Sequence, residues 1–386
     1  MSTTNGDPPN ISNSVQDDVL SSILHSPPPS TPTLLPSCSI DESYKYIFLP
    51  ICYSFTFTFS ILLNSVVLYR SFCQTKRWNA SLIYMVNLAS TDFMYGLSLP
   101  FLVASYIMHD RWVFGDFMCR LVRFLFYFNL YCSIFFLTCI SVHRYLGICH
   151  PMKVITLETK KAVKYICILV WIVVFALTSP IFRFAQTGIV TSVNQNSEIP
   201  YQNCWDDAID KEFPDYVPYG IILHLLGFFV PFSIIAWCYS HVVVTIFRTL
   251  HSRPSSRKAR SPYANRRRKS IKTIITITFL FVLCFLPFHV TRTIFLLLKV
   301  TKRVPCQTMT MVSMCYKITR PLASFNAWLN ALLYFLTKDK GGRQCPLSLV
   351  WNPWVHLLGK FESRWLVPSS GLTTHRKVQE GWYGAG

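Results

Sequence analysis

The chain of 386 residues is 51% hydrophobic, 15% aromatic and only 14% charged, with a formal net charge of +19. Soluble domains average about 25% charged residues, so this balance argues against an ordinary soluble fold and for a membrane protein. The positive charge does not point to nucleic acid, because the basic residues collect in particular loops, as a membrane topology signal does.

Residues 1–43 are rich in Ser, Thr, Pro and Asn and lack the apolar surface that offsets ordering entropy, so a disordered extracellular arm is expected there. The arm contains no long apolar core, so the first span is expected to act as its own insertion signal. Asn10-Ile11-Ser12 is a glycosylation acceptor on that outer side, whereas Asn79-Ala80-Ser81 falls at a cytoplasmic span edge. Seven apolar segments follow, at about 44–70, 79–107, 117–148, 163–184, 216–248, 270–298 and 308–336. Each contains an uncharged run long enough for a spanning helix and far too long for a barrel strand. The expected fold is an all-α membrane protein, a seven-transmembrane helix bundle over 44–336, with a cytoplasmic tail over 337–386. No repeat of 20–50 residues and no sustained heptad interrupts this plan.

Orientation follows from the connectors. The first carries Arg70, Lys76 and Arg77, the third Lys153, Lys160, Lys161 and Lys164, and the fifth a long basic run from Arg248 to Lys272. The fourth is acidic, with Glu198, Asp206, Asp207, Asp210, Glu212 and Asp215. The positive-inside rule therefore places the odd connectors in the cytoplasm and the amino terminus outside. The last outer loop, with Lys299, Lys302 and Arg303, is the exception. Cys38, Cys119, Cys204 and Cys306 fall on the outer side, where disulfides persist, and three pairings are open to them.

Inside the spans, Asp92 is a carboxylate at bilayer depth, which is costly unless it faces the bundle interior. With Asn64, Ser133, Asn326 and Asn330 it predicts a polar inner cluster, either holding water or sodium or serving as a hydrogen-bond network between helices. Pro180, Pro231 and Pro287 interrupt the fourth, fifth and sixth spans, and Pro287 is expected to bend the sixth. Near the outer ends of spans three, six and seven, Arg123 and Tyr127 share a face at i, i+4, as His289/Arg292 and Lys317/Arg320 do at i, i+3. Charge topology would drive these cations to the other surface. Snorkelling or pairing with the acidic connector is one account; the favoured one is a pocket for a polyanion, since arginine's planar fork suits phosphate oxygens and the aromatics offer stacking faces. No nucleophile–base pair and no metal-ligand spacing points to an enzyme, and no cofactor is expected.

The motif NLASTD, the Cys119/Cys204 pair, HRY followed by CHP, Trp171, Pro231 with Tyr239, and FxxCFLPFH resemble the rhodopsin-like G-protein-coupled receptors. FLFYFNLYCSIFFLTCISVHRYLGICHP, CFLPFHVTRTI and YKITRPLASFN are similar to the metabotropic nucleotide receptors, in the branch responding to UTP and ATP, and the resemblance covers about 38–340. It implies that Arg123, Arg292 and Arg320 hold phosphates with help from Lys317, while Tyr127 and His289 meet base or ribose. It also implies disulfides Cys119–Cys204 and Cys38–Cys306, a G-protein contact at Arg144, and activation rearrangements at Tyr239 and Tyr334 with a pivot at Pro287. The implied partners are an extracellular nucleotide, membrane lipid and a heterotrimeric G protein of Gq type, acting through phospholipase C and cytosolic calcium at the plasma membrane.

The chain departs from that pattern in three places. His143 stands where the family has an acidic residue before the arginine, Ala331 stands where it has a proline, and Gly341-Gly342 interrupts the expected cytoplasmic helix. The alternatives are a related receptor for another anion, a lysophospholipid or a carboxylate, and a receptor that binds ligand but signals poorly. A secondary transporter would show paired repeats and broken helices, and neither is found.

Overall fold

Backbone groups in hydrocarbon have no water to bond, so a chain that crosses a bilayer satisfies them within helices. The computed structural model, which describes residues 43–75, 78–150, 159–194, 197–205, 213–251, 262–301 and 304–337, follows that rule. Asn10, Cys38, most of the amino-terminal arm and the tail from 338 lie outside the described residues.

In chain order, α1 is Lys45–Tyr69, prolonged by a π-helical turn at Arg70–Gln74, α2 is Ala80–Ile107, α3 is Gly115–Cys149 and α4 is Lys160–Thr178. α5 comprises Phe213–His224, a π turn at Leu225–Phe229 and Val230–His251. α6 comprises Pro262–Leu280, a π turn at Phe281–Phe285 and Leu286–Val300, and α7 comprises Cys306–Ser324 and Asn326–Thr337. The seven expected segments are thus all helical. Among the described residues, five stretches are long and apolar enough to cross a membrane by length and composition: Lys45–Cys73, Gly115–Cys149, Lys161–Phe184, Pro214–Thr245 and Thr273–Val300. α2 and α7 are more polar, carrying Asp92 in one and Lys317 and Arg320 in the other; Asp92 and Arg320 are buried in the bundle.

Lipid-facing and core-facing surfaces separate by helical period. In α1, Tyr53, Thr56, Ser60, Asn64 and Val67 recur at three- and four-residue steps and are buried, while Ile47, Ile51, Phe55 and Phe59 are exposed. A helix apolar even on its exposed face is suited to lipid rather than water. α3 is the central element, with 78% of its most apolar window buried. It packs on α2, α4 and α5, α6 packs on α5 and α7, and α7 closes the ring against α1 and α2.

The helix ends and breaks have local causes. Asn79 Oδ1 accepts the Leu82 N–H at 2.8 Å and caps α2, which gives that asparagine a structural use. Pro180 ends α4, and a short turn at Ile181–Phe184 follows it. Pro231 and Pro287 each lie just beyond a π turn: Val230 N–H reaches back to Leu225 O and Leu286 N–H to Phe281 O. A proline lacks the N–H its i−4 carbonyl needs, and the wider π turn absorbs the mismatch. α7 breaks at Phe325, whose N–H bonds Pro321 O at 3.0 Å, and then runs unbroken through Ala331.

The α5 π turn also brings two helices unusually close. A Cβ on Gly227 would lie 2.5 Å from Tyr131 Cε1. Gly227→Ala should therefore destabilise the protein by about 1–3 kcal/mol through overpacking. An unchanged melting temperature of the detergent-extracted variant would show that the Tyr131 ring swings aside freely.

The fourth connector, read from sequence only as an acidic loop, contains the sole sheet among the described residues. β1, Thr187–Asn194, pairs antiparallel with β2, Ser197–Cys204, in the register Thr187↔Cys204 to Asn194↔Ser197. No strand was expected there. Trp112 N–H donates to Gln202 O at 2.8 Å and Thr187 N–H to Asp116 Oδ1 at 2.9 Å, so the hairpin is tied to the start of α3.

Candidate ligand-binding site

At the end of the bundle that carries this hairpin lies a cavity of ≈ 460 Å³, within the size range of small-molecule sites. Its wall includes five cations: Lys45 of α1, Arg123 of α3, Lys299 of α6, and Lys317 and Arg320 of α7. Helical spacing brings the α7 pair to one side, because residues three apart share a face. Arg123 and Arg320 are 4% and 3% exposed, so both guanidinium groups are largely withdrawn from water. Arg123 Nη2 donates to Cys204 O at 2.9 Å, and the Arg320 guanidinium lies 5.0 Å from the Phe126 ring centre. Six aromatic rings, Tyr46, Tyr106, Tyr201, Trp205, Phe295 and Tyr316, share the remaining wall with smaller apolar and polar side chains.

One carboxylate, Asp110, also faces the cavity. It accepts Lys45 Nζ at 2.5 Å and the Tyr46 hydroxyl at 3.0 Å. His109 and Asp110 have φ of 56° and 64°, a left-handed conformation unfavourable for residues with a side chain. That turn carries the carboxylate from the end of α2 to the start of α1.

The six residues expected to meet ligand divide into two groups. Arg123, Lys317 and Arg320 line the cavity. Tyr127, Arg292 and His289 do not line it and are buried behind its wall at 1%, 2% and 0% exposure. Arg292 donates to the hydroxyls of Tyr127, Tyr216 and Tyr316, the last at 2.6 Å, and its guanidinium lies 4.7 Å from the Tyr127 ring centre. His289 stacks on Phe228 at 4.1 Å and meets His224 edge-on at 5.1 Å. Lys45, Asp110, Tyr216 and Tyr316 were not among the residues expected from sequence. Lys299 had left a trace, as one of the cations in the outer loop that broke the charge rule.

Cys119 and Cys204 form a disulfide, with Cα atoms 5.6 Å apart, which anchors β2 to α3 beside Arg123. Cys306 is also disulfide-bonded, and Cys38, its expected partner, lies outside the described residues.

Residues 63–334 match the family described as 7 transmembrane receptor (rhodopsin family). The chain belongs to that family. Within it, the chain is 38% identical over 331 residues to the Y-type purinoceptor 4 of Homo sapiens, covering 86% of each protein. It is 40% identical to the Y-type purinoceptor 2 of Rattus norvegicus, over 78% of this chain and 77% of that one. To the Y-type purinoceptor 3 of Meleagris gallopavo it is 36% identical, over 85% and 94%. These are receptors, not enzymes, and this one is a multi-pass membrane protein.

Deeper in the receptor, Asp92 is fully buried and accepts Asn129 Nδ2 at 2.7 Å and Asn330 Nδ2 at 3.1 Å, with Ser133 Oγ at 3.5 Å. Asn129 had not been singled out in the sequence. Asn64 bonds instead to Ala327 O at 2.7 Å, and among the described residues no side-chain bond joins Asn326 to the carboxylate. Trp171 Nε1 donates to Asn87 Oδ1 at 2.9 Å. At the opposite end from the cavity, the Tyr239 hydroxyl lies 2.7 Å from Ser141 Oγ, linking α5 to α3. His143 Nδ1 lies 3.5 Å from Ser81 Oγ, Arg144 beside it is half-buried, and Tyr334 is buried in α7.

Proposed function

We propose that this receptor binds an extracellular nucleoside triphosphate, UTP or ATP, in the cationic cavity and signals through a Gq-type heterotrimeric G protein, phospholipase C and calcium. The observation that carries the reading is the gathering of Arg123, Lys317 and Arg320 with Lys45 and Lys299 around one aromatic-walled cavity. Several cations in a site of restricted solvent access suit several phosphate charges, and arginine bonds phosphate oxygens in pairs. Tyrosine and tryptophan faces suit a base. The purinoceptor relatives support the same ligand class. In this reading the hairpin end and the amino terminus face outward, as the basic connectors require, and Tyr127, Arg292 and His289 act from behind the wall.

A dose–response panel of ATP, UTP, ADP and UDP on cells expressing the full chain tests the proposal. Calcium release by at least one triphosphate at micromolar concentration or below is expected, and silence to all four would remove it. Asp92 with Asn129, Ser133 and Asn330 is proposed as a sodium site; unchanged potency when choline replaces sodium in the same panel would argue against it. The unbroken helix through Ala331 also supports a receptor that binds better than it signals. Nucleotide binding without a calcium response would identify that case.

A further inference from the structure

The interior of α6 contains a charge that ought to be expensive. Arg292 is 2% exposed, and a buried guanidinium costs several kcal/mol unless its donors are met. Three phenol oxygens accept from its Nη1 and Nη2, and they come from three different helices: Tyr127 from α3, Tyr216 from the start of α5 and Tyr316 from α7. All three rings also lie within cation–π range of the guanidinium, at 4.7, 5.8 and 5.6 Å from ring centre to Cζ. One side chain of α6 is therefore bonded to each of the other helices on which a ligand-driven motion of α6 would have to act.

Only one member of the group touches both this interior and the cavity. Tyr316 lines the cavity, while Tyr127, Tyr216 and Arg292 do not. Tyr316 immediately precedes Lys317, lies one turn before Arg320, and stacks on Phe295, another cavity residue, at 5.3 Å. A polyanion drawn to Lys317 and Arg320 acts on the same turn of α7 that holds the Tyr316 hydroxyl against Arg292. A neutral phenol oxygen is also a weaker partner for guanidinium than an anionic oxygen. The tyrosines thus hold the arginine in place without holding it irreversibly.

We infer that Tyr216 and Tyr316 are positioning residues, which act by fixing Arg292 and so couple occupancy of the cavity to the placement of α6 against α3, α5 and α7. The inference rests on the reading of the cavity as a nucleotide site. Its core, that both hydroxyls act through one arginine, has a ligand-independent consequence as well.

The test is a double-mutant cycle on the full-length receptor, with Tyr216→Phe and Tyr316→Phe made alone and together with Arg292→Ala. Phenylalanine keeps each ring and removes only the hydroxyl. Each single variant should raise the half-maximal UTP or ATP concentration at least fivefold at unchanged surface receptor number. In the Arg292→Ala background the same change should alter potency less than twofold. Wild-type potency of both single variants overturns the inference, and so does a full shift that persists without Arg292, which would mean the hydroxyls touch ligand or support the fold directly. Arg320→Ala, run beside them, separates the two ideas: a shift there with wild-type tyrosine variants leaves the nucleotide site standing and removes the relay. If the receptor is silent to nucleotides, the melting temperature of the detergent-extracted protein decides. Tyr216→Phe should lower it in the parent and leave it unchanged in Arg292→Ala, and equal losses in both backgrounds overturn the coupling.

Discussion

Alanine in place of Arg320 is expected to raise the agonist concentration for half-maximal calcium release by about 10- to 100-fold, with surface receptor unchanged. The guanidinium lines the cavity yet is only 3% exposed. A phosphate bonded to it would lose a charge-assisted interaction worth about 1.5–3 kcal/mol, and each 1.4 kcal/mol is about a factor of ten. Arg320→Lys retains the charge but not the planar fork, so it should recover part of the potency. Arg292→Ala should also cost at least tenfold, through the lost link of α6 to α3, α5 and α7 rather than a direct contact. Surface number should hold because Arg320 packs on Phe126 from one side and faces the cavity on the other. Wild-type potency of Arg320→Ala would remove the anion site itself.

The other large effect should come from Cys204→Ala. Its disulfide to Cys119 closes a loop with a sequence separation of 85 residues, and losing such a bridge typically costs about 2–5 kcal/mol. The local consequence is sharper than the global one. β2 carries Tyr201, Asn203 and Cys204 into the cavity wall, and the Cys204 carbonyl accepts from Arg123. Without the bridge, both the wall and the aim of Arg123 are lost. Surface receptor should fall severalfold and the agonist response should be nearly abolished. Cys119→Ala and the double variant should match Cys204→Ala, because all three remove one bond. Additive losses would mean that the cysteines act separately.

The helical segments were legible because apolar length and backbone hydrogen bonding decide them locally. Each expected span corresponds to a helix, and the two most polar, α2 and α7, were still recognisable around buried Asp92 and Arg320. The hairpin of the fourth connector was not legible. Its strands are largely polar, and they are held in place by the Cys204 anchor and by bonds to Trp112 and Asp116, residues distant in sequence. Arg123, Lys317 and Arg320 were visible as cations on the wrong side of a charge rule. Tyr216 and Tyr316 gave no signal, since a tyrosine in an apolar span looks the same whether its hydroxyl meets an arginine or a backbone carbonyl.

The sequence alone determined that the chain crosses a membrane seven times, where its prolines interrupt the helices, and which charges are out of place. Those properties follow from hydropathy and from the missing proline N–H, which act over a single turn or a single span. Only the tertiary structure decided which of the outlying cations share a cavity and which lie behind its wall. Arg292 and Arg320 look alike in sequence, each the second member of an i, i+3 pair. The rotation of α6 and α7 within the bundle turns one onto three tyrosine hydroxyls and the other toward open space, and that rotation is set by packing against helices far away in the chain.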